Sequence, residues 1–115
     1  PQSEINCFHR ILSIKVGDYD PQPIESLSEA EIFSSGYVLN TLEAAIWCIL
    51  QTNNYKDAVL KADNLGSDTD TTAAVAGGLA GIYYGIENIP KKWIENLVRA
   101  NDIKDLAERL SRKLI

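Results

Sequence analysis

Apolar residues recur along this chain at helical spacing, and no segment shows the strict alternation of a half-buried strand. The run from Ser3 to Ile14 sets Ile5, Phe8, Ile11 and Leu12 on one face, which predicts a first helix. Gly17, Pro21 and Pro23 then break the chain into a loop, with a short turn expected near Glu29. From Tyr37 to Thr52 the pattern changes. Leu42, Ala45, Ile46, Trp47, Ile49 and Leu50 make this stretch apolar nearly all round, the mark of a buried helix. Asn54 to Gly66 returns to a single stripe of Tyr55, Ala58, Val59, Ala62 and Leu65, with Gly66 as a natural stop.

A further helix is predicted from about Asp70 to Tyr84. Pro90 then stands where a first helical residue belongs, ahead of a face made by Trp93, Ile94, Leu97 and Val98. Asn101 or Asp102 is the expected cap of a last helix carrying Ile103, Leu106, Ala107 and Leu110. The predicted fold is all-α, in a single region spanning residues 1–115 with no internal repeat or linker.

Composition narrows the function. A chain of 115 residues supports one modest core. Its net charge of -5 argues against a nucleic-acid partner held by a basic surface. An anionic ligand would also be repelled unless cations bridge it to the carboxylates. Cys7 and Cys48 frame no disulfide scaffold, which predicts a reducing, cytoplasmic setting. His9 has no visible orienting partner for catalysis. The longest run of small apolar residues, Ala73 to Ile86, is too short and too rich in glycine to span a bilayer, and no membrane partner is expected.

The chemistry concentrates in "NLGSDTDTTAAVAGGLAGIYYG", from Asn64 to Gly85. Asp68 and Asp70 repel each other, and a helix of Ala and Gly is weak at its Gly positions. Asp and Thr oxygens here can cap the free N–H groups of a helix, and one Asp suffices for that. Alternatively, Asp68, Asp70 and Thr71 offer hard oxygen ligands within one turn, the chemistry that Mg²⁺ or Mn²⁺ prefers. Gly77, Gly81 and Gly85 recur every fourth residue beside Ala73, Ala74 and Ala80, a face that lets another backbone come close. Close packing and ligand binding are compatible, because a fixed helix holds its terminal oxygens in place.

This segment resembles the C-terminal signature of the ADP-ribosylglycohydrolase family. "GYVLNTLEAAIWCILQTNNYKDAVLKA" before it and "IPKKWIENL" after it follow in the family's order and spacing. The resemblance implies the C-terminal part of an orthogonal helical bundle with two Mg²⁺ or Mn²⁺ ions in the complete enzyme. It assigns metal oxygens to Asp68, Asp70 and Thr71, and places Gly36 and Tyr37 near an ADP-ribose cleft. Ser67 stands where family members commonly have Gly, a change that removes no ligand. The implied reaction is hydrolysis of the bond between ribose C1″ and an acceptor side chain such as arginine or serine, on an ADP-ribose conjugate.

The family's N-terminal Thr-Asp-Asp motif does not occur in this sequence. The chain is therefore expected to hold only part of the metal shell and to be inactive alone. Two other readings stand beside this one. A non-catalytic member of the same fold would act as a binding or structural protein, and a small helical interaction module would use the acidic turn as a cap only.

Glu25, Glu29 and Glu31 read as a solvated face. Glu43, inside the buried-type helix, needs a basic partner or a cleft to face. Both that helix and the Gly face need cover. Self-association, or pairing with an N-terminal half, is accordingly expected.

Overall fold

Small residues decide how the helices meet. The structure is a computed structural model and describes residues 24–32, 38–66 and 69–115. Among these residues five helices run in order: α1 Val38–Leu50, α2 Tyr55–Asp63, α3 Thr69–Tyr84, α4 Lys91–Glu95 and α5 Ala100–Leu114. Short 3-10 turns occupy Ile24–Ser26, Glu29–Glu31 and Ile86–Asn88. There is no strand among the described residues, and the fold is all-α as predicted. The helix predicted over residues 3–14, with Cys7 and His9, lies outside the described residues, as does the side chain of Glu25.

Helices α1, α2 and α3 build the core, with α3 packed most extensively on α2 and then on α1. Its contact surfaces are alanines: Ala44 and Ala45 of α1, Ala62 of α2 and Ala76 of α3 are all fully buried. Trp47 of α1 closes the other side against the 3-10 turns, where Ile24, Leu27 and Ile32 are buried. Its indole Nε1 donates to the Leu27 carbonyl at 2.8 Å, so the one polar atom of this large ring is satisfied. The Lys61 ammonium of α2 sits 4.9 Å from the same ring, a cation–π contact. Cys48 is a free, buried thiol. Burial pushes it up to about 11, with the Lys61 charge opposing and the Glu29 charge adding.

Helix α1 is enclosed less evenly than its pattern predicts. Val38 and Leu50 at its ends are exposed, Leu42, Ile46 and Ile49 are half-buried, and the fully enclosed positions include Thr41 and Glu43. The enclosed positions of α1 are thus a mix of small residues, Ala44 and Ala45, and larger ones, Glu43 and Trp47, rather than its whole apolar circumference. Helix α2 follows its predicted stripe, with Ala58 and Ala62 buried and Tyr55, Val59 and Leu65 half-buried. Asn54 caps it: its side-chain oxygen accepts from the Asp57 N–H at 2.8 Å, and its Nδ2 donates to the Asp57 carboxylate at 2.8 Å. Gly66, at φ +90, makes the turn that ends this helix. The turn near Glu29 is present as well, with the exposed Glu31 carboxylate accepting from Ser28 N at 3.1 Å and Ser28 Oγ at 3.0 Å.

The small-residue face of α3 has a specific occupant. A Cβ on Gly77 would lie 3.2 Å from Tyr55 Oη, and one on Gly81 would lie 3.8 Å from Tyr55 Cε2. The groove thus seats the tyrosine ring, and Trp93 meets that ring edge-on at 6.2 Å between centroids. Gly85 does not belong to this face. It lies beyond the end of α3 at φ +84, where it turns the chain into the next 3-10 segment.

The last two helices depart from expectation. Pro90 precedes α4 rather than opening it, and α4 stops at Glu95. Trp93 and Ile94 are half-buried, whereas Leu97 and Val98 fall in the following turn and are exposed. Neither Asn101 nor Asp102 caps α5. Arg99 takes a left-handed conformation at φ 61 just before the helix, and Asp102 pairs with it at 2.8 Å from within the first turn. Every residue from Asn101 onward is exposed.

Candidate functional site

The acidic turn enters α3, and the burial of that helix decides what the turn presents. Thr72, Ala76 and Ala80, four residues apart, are all fully buried and form the core-facing line. Asp70 and Thr71 lie off that line, and both are exposed. Asp70 is the second residue of α3, inside the first turn rather than at the cap position before it. Its carboxylate complements the helix dipole there. Among the described residues no hydrogen bond or ion pair engages it.

Asp70 and Thr71 thus place a carboxylate and a hydroxyl side by side on the open side of a packed helix. Both are hard oxygen donors, the kind that Mg²⁺ and Mn²⁺ take. Asp68, the third predicted ligand, and Gly36 and Tyr37, the predicted substrate neighbours, lie outside the described residues. No cluster of three or more His, Cys, Asp or Glu side chains occurs among the described residues. Asp70 and Thr71 thus offer two oxygens of the kind a divalent cation takes.

Beside Thr71 opens an apolar pocket of about 260 Å³. Val38, Thr41 and Leu42 of α1 form one wall, and Thr71 and Val75 of α3 form the other. Its α1 wall begins at Val38, the residue after Gly36 and Tyr37. Larger grooves of about 560 and 570 Å³ flank the α4–α5 turn and involve Arg99 and Asp102. They contain no residue of the acidic turn. Glu43 does not line the 260 Å³ pocket; it is only 2 % exposed and takes part in polar interactions.

Two polar residues escaped the sequence reading. Thr41 and Thr72 are buried where a sequence pattern suggests an exposed helix start and an apolar helix. For Thr72 a signal existed, since Ala76 and Ala80 extend it at helical spacing and mark the core-facing line.

An all-α fold whose sequence runs Asp-x-Asp-Thr into a small-residue helix points to a narrow class of protein. A sequence profile of that class, ADP-ribosylglycohydrolase, matches residues 4–114. The chain belongs to the ADP-ribosylglycohydrolase family. It is 48% identical over 101 residues to the ADP-ribosylarginine hydrolase Tri1 of Serratia proteamaculans, a match covering 88% of this chain and 26% of the relative. The ADP-ribosyl-[dinitrogen reductase] glycohydrolase of Rhodospirillum rubrum is 38% identical over 64 residues, covering 56% of this chain and 22% of the relative. The ADP-ribosylhydrolase ARH3 of Mus musculus is 30% identical over 111 residues, covering 85% of this chain and 30% of the relative. The chain spans between a fifth and a third of the length of these relatives. Among the described residues no helix is long and apolar enough to cross a membrane.

Proposed function

We propose that these residues carry the C-terminal share of the active site of a metal-dependent ADP-ribosyl hydrolase. The substrate is an ADP-ribosylated arginine, the class named by the Serratia relative. The reaction is hydrolysis of the bond between ribose C1″ and the guanidine nitrogen. Asp68, Asp70 and Thr71 hold a dinuclear Mg²⁺ or Mn²⁺ centre through oxygen, and polypeptide outside these residues supplies the other ligands. Gly36 and Tyr37 lie on the substrate side of the cleft.

One observation carries this reading: Asp70 and Thr71 are presented together on the open side of a helix whose opposite line, Thr72, Ala76 and Ala80, is packed. A cap would place its oxygen at the position before the helix and turn it back onto the backbone. The bound cations would supply positive charge for the ribose hydroxyls and a more acidic attacking water. They would also let an anionic diphosphate approach a chain of net charge -5. The apolar stripe of α5 supports the same reading, since exposed stripes of that kind are normally covered by further protein.

A graft tests the proposal. Residues 4–114 replace the matching part of the Serratia relative, and ADP-ribose release from ADP-ribosylarginine is followed. The chimera is expected to turn over, and Asp70→Asn is expected to abolish the rate. Release by the 115-residue chain alone at a rate sensitive to Asp70→Asn would contradict the shared-shell reading.

A further inference from the structure

Helix α5 carries an apolar stripe that nothing among the described residues covers. Ile103, Leu106, Leu110 and Leu114 follow one another at helical spacing, and they are between 49% and 77% exposed. No other described element packs extensively on this helix. Its root, by contrast, is fixed. Trp93 of α4 meets the Tyr55 ring that fills the α3 groove, and Arg99 at φ 61 then turns the chain into α5. Single exposed leucines need no explanation, but a contiguous stripe of them marks a surface that something else covers.

Three occupants are open to such a stripe, and two fit poorly. A second copy would meet a strip only about 17 Å long and about 10 Å wide. Paired with itself, that strip falls well below the roughly 800 Å² per partner of a stable interface. A membrane surface attracts amphipathic helices whose polar face is strongly basic. The polar positions of α5 hold three acidic and four basic side chains, on a chain of net charge -5. The third occupant is more of the same domain. The family profile runs to residue 114, so α5 lies inside the family's domain and is not an appendage to it. About three-quarters of the Serratia relative lies outside its match to this chain.

We propose that the stripe of α5 is a docking surface for the remainder of the ADP-ribosylglycohydrolase domain, the polypeptide that the longer relatives carry outside the match. The inference rests on the reading of these residues as a share of a longer hydrolase, and not on the metal assignment. Within one domain the strip needs no minimum area, because the two surfaces belong to one continuous core.

The test compares the 115-residue chain with the chimera that carries residues 4–114 in the Serratia relative. Amide hydrogen exchange in α5 is expected to be on the order of a hundredfold slower in the chimera than in the chain alone. Leu106→Glu and the milder Leu106→Ala should remove much of that protection and lower the thermal midpoint of the chimera, while leaving the midpoint of the chain nearly unchanged. Lys104→Gln, off the stripe, should change neither protein. Equally fast α5 exchange in an active chimera would overturn the docking surface and leave the proposed reaction standing. Protected α5 in a chimera that releases no ADP-ribose would do the reverse. Two further outcomes would overturn the proposal by naming another occupant. One is sedimentation of the chain as a dimer that Leu106→Glu separates, and the other is binding of the chain to phosphatidylglycerol vesicles that Leu106→Glu abolishes.

Discussion

Helices α3 and α5 are nearly equal in length, at 16 and 15 residues, yet they meet their surroundings in opposite ways. Helix α3 has almost no large apolar side chain on its packed line and is locked between two neighbours through alanine and glycine. Helix α5 has a strong apolar stripe of Ile103, Leu106, Leu110 and Leu114, and all four are exposed. Its helical form rests on local devices, among them the Arg99–Asp102 pair at 2.8 Å and the Arg109–Asp105 pair at 3.0 Å. Of these two helices, the one packed through small residues is buried and the one with the large apolar stripe is exposed. The open faces expected on α1 and on the glycine helix are largely closed within the chain, and the uncovered stripe lies on α5.

Overfilling α3 should have the largest effect. Ala76→Leu forces a large side chain into the core shared by α1, α2 and α3, and is expected to cost about 1–3 kcal/mol or more in urea unfolding. The matched change on α5, Leu106→Glu, should stay within about 0.5 kcal/mol, because that side chain is already exposed. A large loss from Leu106→Glu would show that α5 is covered in solution and would break the contrast.

Alkali should also find the α1–α3 core. The Cys48 thiol rises from 9.0 to about 11 in the folded chain, so between those values the unfolded chain loses its proton while the folded chain keeps it. The stability set by Cys48 is therefore fully present below pH 9.0 and falls as the pH climbs toward 11. Urea midpoints across this window should fall less steeply in Cys48→Ala than in the unaltered chain. Parallel slopes would contradict the burial of that thiol.

Trp47→Phe removes the donor to the Leu27 carbonyl and leaves that oxygen unpaired, at an expected cost of about 1–3 kcal/mol. Fluorescence-detected unfolding through the remaining Trp93 measures it, and no loss would mean that the 3-10 segment is not docked on α1.

Glycine substitutions sharpen the comparison at smaller scale. Gly78 meets nothing within 4 Å, so Gly78→Ala should stabilise α3 by about 1 kcal/mol through helix propensity. Gly77→Ala should gain less or destabilise, since its new methyl would lie 3.2 Å from Tyr55 Oη. Tyr55→Phe should return part of that difference. Equal gains at both positions by thermal unfolding would mean that the tyrosine does not occupy the groove.

Much of this was legible in the residue pattern, for reasons that differ by element. The stripe of α2 and the stop at Gly66 follow from local spacing and turn chemistry, and both are present. The Asp-x-Asp-Thr stretch marked a candidate site, because paired carboxylates have a cost that capping alone does not explain. The short α4 and the start of α5 were hidden. Arg99 adopts a conformation that a non-glycine residue rarely takes, and no local preference signals it. The inward face of Thr72 was signalled only by its helical spacing to Ala76 and Ala80, against the usual solvent-facing reading of a threonine at a helix start. Gly85 shared the four-residue spacing of Gly77 and Gly81, but it served a turn and not the groove.

Calorimetric titration of Mn²⁺ into the 115-residue chain tests most directly the proposal that the head of α3 is a partial seat for a divalent cation. Few protein oxygens on one turn leave such an ion mostly hydrated, so the account predicts weak binding that disappears when Asp68→Ala and Asp70→Ala are combined. Tight binding that survives both substitutions would contradict it and place the metal elsewhere on the chain.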